Sequence, residues 1–130
     1  MTKARLLAFL LCDNATRDRD GKVTLHGIFD KIIAPRTRGH VRILFVYYRV
    51  VVEQRCAVAL RVVDPEGHEV REAIRRDSLR ELGPMRTVWS LSTDFFTQRG
   101  SYVLELRQET DGSEPLTLAQ MRLAVEEGEE

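Results

Sequence analysis

Over most of the chain apolar and polar residues alternate with a period of two, the signature of strands with one buried and one wet face. Val23, Leu25 and Phe29 alternate with Thr24 and His26. Val58, Leu60 and Val62 alternate with Ala59 and Arg61, and Tyr102, Leu104 and Leu106 alternate with Val103, Glu105 and Arg107. Residues 85–95 repeat the pattern with Trp89, Leu91 and Phe95 on one face, and Ala119, Met121, Leu123 and Val125 do so near the end. Turn signals fall between these runs at Asp20-Gly21, Pro35 to Gly39, Asp64-Pro65-Glu66-Gly67, Gly83-Pro84, Arg99-Gly100 and Asp111-Gly112. The spacing predicts about eight short strands between residues 4 and 125, with no helices alternating among them. An all-β antiparallel β-sandwich, Ig-like or jelly-roll-like, is the fold that such a pattern specifies.

Residues 69–82 are ambiguous, because Val70, Ala73, Ile74, Leu79 and Leu82 would also line one face of a helix. Their position directly after the Asp64-Pro65-Glu66-Gly67 turn favours a strand that pairs back on 56–63, followed by a loop, with room for a short helix near 77–82. Two segments are apolar on both faces. Residues 5–12 are one. In 41–53, Ile43, Phe45, Tyr47 and Val51 alternate with Leu44, Val46, Tyr48, Val50 and Val52. A two-sheet sandwich has a single interior layer, so the second face of such a strand needs a cover: a loop, the segment after Gly67, or another molecule. Self-association is therefore expected, with Leu44, Val46, Tyr48 and Val50, or their neighbours on the opposite face, as the candidate interface.

The chain is 130 residues long, 43% apolar, with 20 Lys+Arg against 20 Asp+Glu. That is the composition of one ordinary globular domain, expected over 1–125, with the glutamate-rich residues 126–130 as a solvated acidic tail. Cys12 and Cys56 are too few for a disulfide framework, and both lie in apolar runs, which suits a reducing cytoplasmic compartment. Lys3 and Arg5 before the apolar residues 6–12 mimic a short signal segment, but the run is short and Leu11 stands where processing requires a small side chain.

Leu10-Leu11-Cys12-Asp13-Asn14-Ala15, followed by Gly21-Lys22 and Gly27-Ile28-Phe29-Asp30, resembles the N-terminal signature of a bacterial family of small uncharacterised proteins. The later Val62-Val63-Asp64-Pro65-Glu66-Gly67 turn and the Gly100-Ser101-Tyr102 strand extend the resemblance over most of the chain, with 69–84 departing furthest. The resemblance implies a β-sandwich and brings no chemistry. Independently, a tyrosine after a glycine at a strand start is a common corner anchor in sandwiches, bonding through its hydroxyl.

No residue constellation carries a catalytic or metal signature. Asp13, Asn14, Asp18 and Asp20 offer carboxylates near a turn, but Arg17 and Arg19 would oppose a cation and no bidentate glutamate follows. His26, His40 and His68 form no ligand pair, Cys12 has no local base, and Ser90 and Ser92 sit in a strand without a nucleophile elbow. No phosphate-binding glycine loop is present, so neither cofactor nor metal is expected. Charge is unevenly placed: residues 1–62 hold 12 Lys+Arg and 5 Asp+Glu, and residues 63–130 hold 8 and 15. Arg36, Arg38, His40 and Arg42 cluster in one loop as candidates for binding an anion or an acidic partner. Overall neutrality argues against nucleic acid, and no run is long enough for a membrane helix. The expected function is a non-enzymatic protein-interaction or assembly module acting on a protein partner or on itself. The alternatives are a small-ligand- or calcium-dependent sandwich near 13–20 and Asp64, and an enzyme of unknown class.

Overall fold

A computed structural model describes residues 2–28, 31–34, 43–110, 112 and 114–127. Nine strands are present among them: β1 (Ala4–Arg17), β2 (Val23–Ile28), β3 (Lys31–Ala34), β4 (Ile43–Val52), β5 (Cys56–Val63), β6 (Arg75–Leu79), β7 (Gly83–Ser92), β8 (Gly100–Gln108) and β9 (Leu116–Glu127). They form two sheets, one in the order β2-β1-β4-β7 (sheet A) and the other β3-β9-β8-β5-β6 (sheet B). The all-β sandwich read from the alternation is the fold.

Three details differ from that reading. β3 pairs with β9 in parallel, so sheet B is mixed. A strand of four residues reached from the opposite sheet carries too little pattern for its direction to be legible. Residues 75–79 form β6, antiparallel to β5 from Cys56↔Leu79 to Leu60↔Arg75, so the expected partner is right but its strand starts later: only an isolated bridge, Val63↔Glu69, and a 3-10 turn at Arg71–Ala73 follow the 64–67 turn directly, and no helix occupies 77–82. Finally, β9 continues through Glu127, so two glutamates expected in the acidic tail are strand residues paired with β3.

The interior is filled by the inward positions of both sheets. β4 contributes Leu44, Val46, Tyr48, Val50 and Val52; β5 contributes Val58, Leu60 and Val62; β8 contributes Tyr102, Leu104 and Leu106, all essentially inaccessible to solvent. This corrects the assignment of Leu44, Val46, Tyr48 and Val50 as interface residues. They are the core of this chain, because β4 is a central strand whose inner face meets sheet B.

Polar groups inside the sandwich are matched to partners, as burial requires. The Tyr48 hydroxyl donates to Asp77 Oδ2 at 2.6 Å, joining β4 of one sheet to β6 of the other. Tyr48 also packs against Trp89, with ring centroids 4.7 Å apart. Burial, and then this hydrogen bond, push the Tyr48 phenol well above its ordinary pKa. Fully buried Gln108 accepts through Oε1 from the backbone N–H of Lys3 at 2.6 Å and of Ala4 at 3.2 Å, fastening the start of β1 to sheet B. Tyr102 is the corner anchor foreseen from its position: its hydroxyl accepts from the Gln98 N–H at 3.0 Å. Asp64 closes the β5 turn, with Oδ1 accepting from the N–H groups of Glu66 and His68, both at 2.9 Å. The His68 N–H is the leading cause that holds the Asp64 carboxyl below its usual range.

Candidate functional site

The second face of β4 is the outer face of sheet A, and the strand register lays it out in rows. Direct cross-strand partners share a face. Ile28 of β2, Cys12 of β1, Phe45 of β4 and Ser90 of β7 form one row; Leu10, Tyr47 and Val88 form the next; Ala8, Arg49 and Arg86 form the third. Ile43 continues β4 beyond Phe45, opposite Ser92. Phe45, Tyr47, Val51, Leu10 and Val88 are half-buried, whereas Ile28 and Ile43 are 61% and 57% exposed.

Part of this face is covered from within the chain. β1 pairs with β4 only as far as Cys12; its distal half continues with β2 alone as a two-stranded ribbon, with Arg17 opposite Val23 near the tip. The tip is a tight turn in which Asp18 Oδ1 accepts from the N–H of Asp20 at 3.0 Å and of Lys22 at 2.9 Å. Two-stranded ribbons twist more strongly than broad sheets. Here the ribbon curls back over sheet A, and the Arg86 guanidinium on β7 donates to the carbonyl oxygen of Gly21 in the tip. Gly27 makes that path possible. Its φ of +67° is in the left-handed region, and a Cβ there would lie 2.5 Å from Asp13 Oδ2.

Between ribbon and sheet lies an open cleft of about 560 Å³, with Ala15, Thr16, Arg17 and Val23 on the ribbon side and Phe45, Arg86, Thr87, Val88 and Ser90 on the sheet side. Its walls combine apolar side chains, hydroxyls and two guanidinium groups, with no carboxylate. The strands of sheet A carry Arg5, Arg17, Arg49 and Arg86 against one acidic residue, Asp13. Arg5 lies 3.7 Å from Glu53. Cys12 is fully buried in the outer row, away from the core cluster, and Cys56 packs at the edge of that cluster in sheet B. Both are free thiols; burial pushes both upward in pKa, and the neighbouring Asp13 charge adds to the shift at Cys12.

Of the anion-binding candidates, Arg36, Arg38, His40 and Arg42 lie outside the described residues. The carboxylates weighed for a cation are placed in separate roles: Asp18 and Asp64 each hold their own turn, and the Asp13 side chain lies against Gly27. Among the described residues no group of three or more His, Cys, Asp and Glu side chains is gathered in a metal-binding arrangement. Phe45 lies on the opposite face of 41–53 already open to an interface role, whereas no motif in the sequence marks Arg86, because only the register of β1, β4 and β7 places the two together beneath the ribbon. In the sequence, Arg17 stands out only as a charge that would oppose a cation beside Asp18 and Asp20. The one local signal was that Arg49 and Arg86 both interrupt otherwise apolar or hydroxyl-bearing strand positions.

The chain belongs to a family of unknown function (DUF6941), whose model matches residues 7–124. No curated protein sequence matches it. Among solved structures it is similar to one titled "Crystal structure of the C-terminal domain of wzt", at 14% identity over 99% of this chain and 77% of that chain, with a TM-score of 0.54. At that identity the likeness is one of fold. Among the described residues no helix is long and apolar enough to cross a membrane.

Proposed function

We propose that this member of a family of unknown function is a non-enzymatic protein-interaction module that works through the outer face of sheet A, with a second copy of the chain as a partner. The observation that carries this reading is the incomplete cover of that face. The ribbon shelters the cleft side, yet Ile28 and Ile43 stay largely exposed beside half-buried Phe45, Tyr47 and Val88. Grouped apolar exposure of this kind is a recurrent mark of protein contact surfaces. Burying a Val- or Leu-sized side chain stabilises by roughly 1.5–3 kcal/mol, so a few such residues offset part of the cost of association. Free thiols at buried Cys12 and half-buried Cys56 fit a reducing cytoplasm as the setting.

Sedimentation of the wild type is expected to show mass rising with concentration into the high-micromolar range. Ile43→Asp should return the protein to monomer, with its melting curve unchanged at dilute concentrations where the wild type is itself monomeric. Ile74→Asp, at an exposed apolar site beside β6, should leave association intact. A wild type that stays monomeric throughout refutes self-association, and loss of association in Ile74→Asp but not Ile43→Asp moves the interface elsewhere.

A further inference from the structure

Beyond a protein contact, the cleft itself has the chemistry of a small-molecule site. Its volume of about 560 Å³ falls in the range of pockets that hold small ligands. Arg49 and Arg86 are direct cross-strand partners on the outer face, a like-charge pair that costs stability in a sheet unless something compensates it. Among the described residues no carboxylate pairs with Arg17, Arg49 or Arg86. The one hydrogen bond that Arg86 makes to a described residue goes to the neutral carbonyl of Gly21. A guanidinium has five N–H donors, so most of its capacity remains open. Arg17 reaches the same cleft from the ribbon side.

We infer that the cleft binds a small organic anion, a carboxylate or phosphate ester with an apolar body. The anionic group would lie between the Arg17 and Arg86 guanidinium groups, and the apolar body against Val23, Phe45 and Val88. Charge-assisted hydrogen bonds from guanidinium to an anion are roughly twice as strong as neutral ones, so the anion is the component that fixes the ligand. Thr16 and Ser90 hydroxyls line the same space and supply further donors. The site shares Phe45 and Val88 with the proposed contact face, but its guanidinium groups are not part of the Ile28 and Ile43 patch, so Arg17 tests it separately from self-association.

The test is a titration of the isotopically labelled full chain with phenyl phosphate and benzoate, read as amide shifts by NMR. Inorganic phosphate and uncharged benzyl alcohol report on the two halves of the ligand separately. Saturable shifts confined to residues 15–17, 23, 45 and 86–90 are expected with both aromatic anions, weaker ones with inorganic phosphate, and none with benzyl alcohol. Arg17→Gln, on an exposed residue of the ribbon, should weaken binding about tenfold with the rest of the spectrum unchanged, and Arg86→Gln should weaken it at least as much. Shifts absent at millimolar anion, equal shifts with benzyl alcohol, or affinities unaltered in Arg17→Gln would each overturn the inference.

Discussion

Tyr48 shows how one residue carries several constraints. The pattern of β4 is apolar on both faces and does not say which way Tyr48 points; the fold turns it inward, and its hydroxyl then needs a partner inside the sandwich. Asp77 supplies it from β6 across the interior. Tyr48→Phe deletes the donor and leaves an inward carboxylate oxygen unmatched, so it should destabilise the fold by about 1–2 kcal/mol in urea denaturation. The pH dependence follows from the raised phenol. The unfolded chain releases this proton near pH 10, while the folded chain holds it to higher pH. The contribution is therefore fully present below about pH 10 and is lost as pH rises through the folded value. Melting temperatures measured from pH 8 to 11 should fall at the alkaline end more steeply in the wild type than in Tyr48→Phe. Parallel curves would contradict this. Tyr102 was legible in the sequence because its corner role depends on local position, whereas Gln108 was not. A glutamine that continues the inward series of Leu104 and Leu106 looks like an error of pattern until the backbone of Lys3 and Ala4 is seen to donate to it.

At the scale of elements, alternation located the strands well because each side chain reports its own face. Pairing partners are set by distant segments and were less visible. The hairpin of β5 with β6 was readable, since a four-residue turn signal sits between them, but the parallel β3–β9 pair and the folding back of the β1–β2 ribbon were not. The ribbon is also where the question about β4 found its answer: its second face is covered in part by the chain's own N-terminal arm, and the segment after Gly67 became an edge strand of the other sheet. Gly27 is the point on which that geometry turns. Gly27→Ala combines a left-handed φ with a Cβ 2.5 Å from the Asp13 carboxylate, so a loss of about 1–3 kcal/mol is expected. Asp13→Ala in the same chain should recover the steric share and leave the backbone share, giving a non-additive double-mutant cycle. Additive losses would mean that the contact with Asp13 contributes nothing.

Over the whole molecule, the first 62 residues supply three of the four strands of sheet A, and the later residues supply β6, β8 and β9 of sheet B. The strands of both sheets nevertheless carry more basic than acidic residues, so the uneven charge of the two halves does not resolve into a basic sheet and an acidic one. Arg36, Arg38, His40 and Arg42, the most visible basic cluster in the sequence, lie outside the described residues, while the cleft draws on arginines separated by about seventy positions along the chain. Such a site is invisible to any local motif. The outer face of sheet A is the proposed surface through which the protein makes contact. Methyl NMR spectra recorded over a concentration series test it most directly, because exposed apolar side chains occur both on this face and away from it. The Ile28 and Ile43 methyl signals should move with concentration while those of Ile74 and Leu82 stay fixed. Fixed Ile28 and Ile43 signals, or movement confined to Ile74 and Leu82, would contradict it.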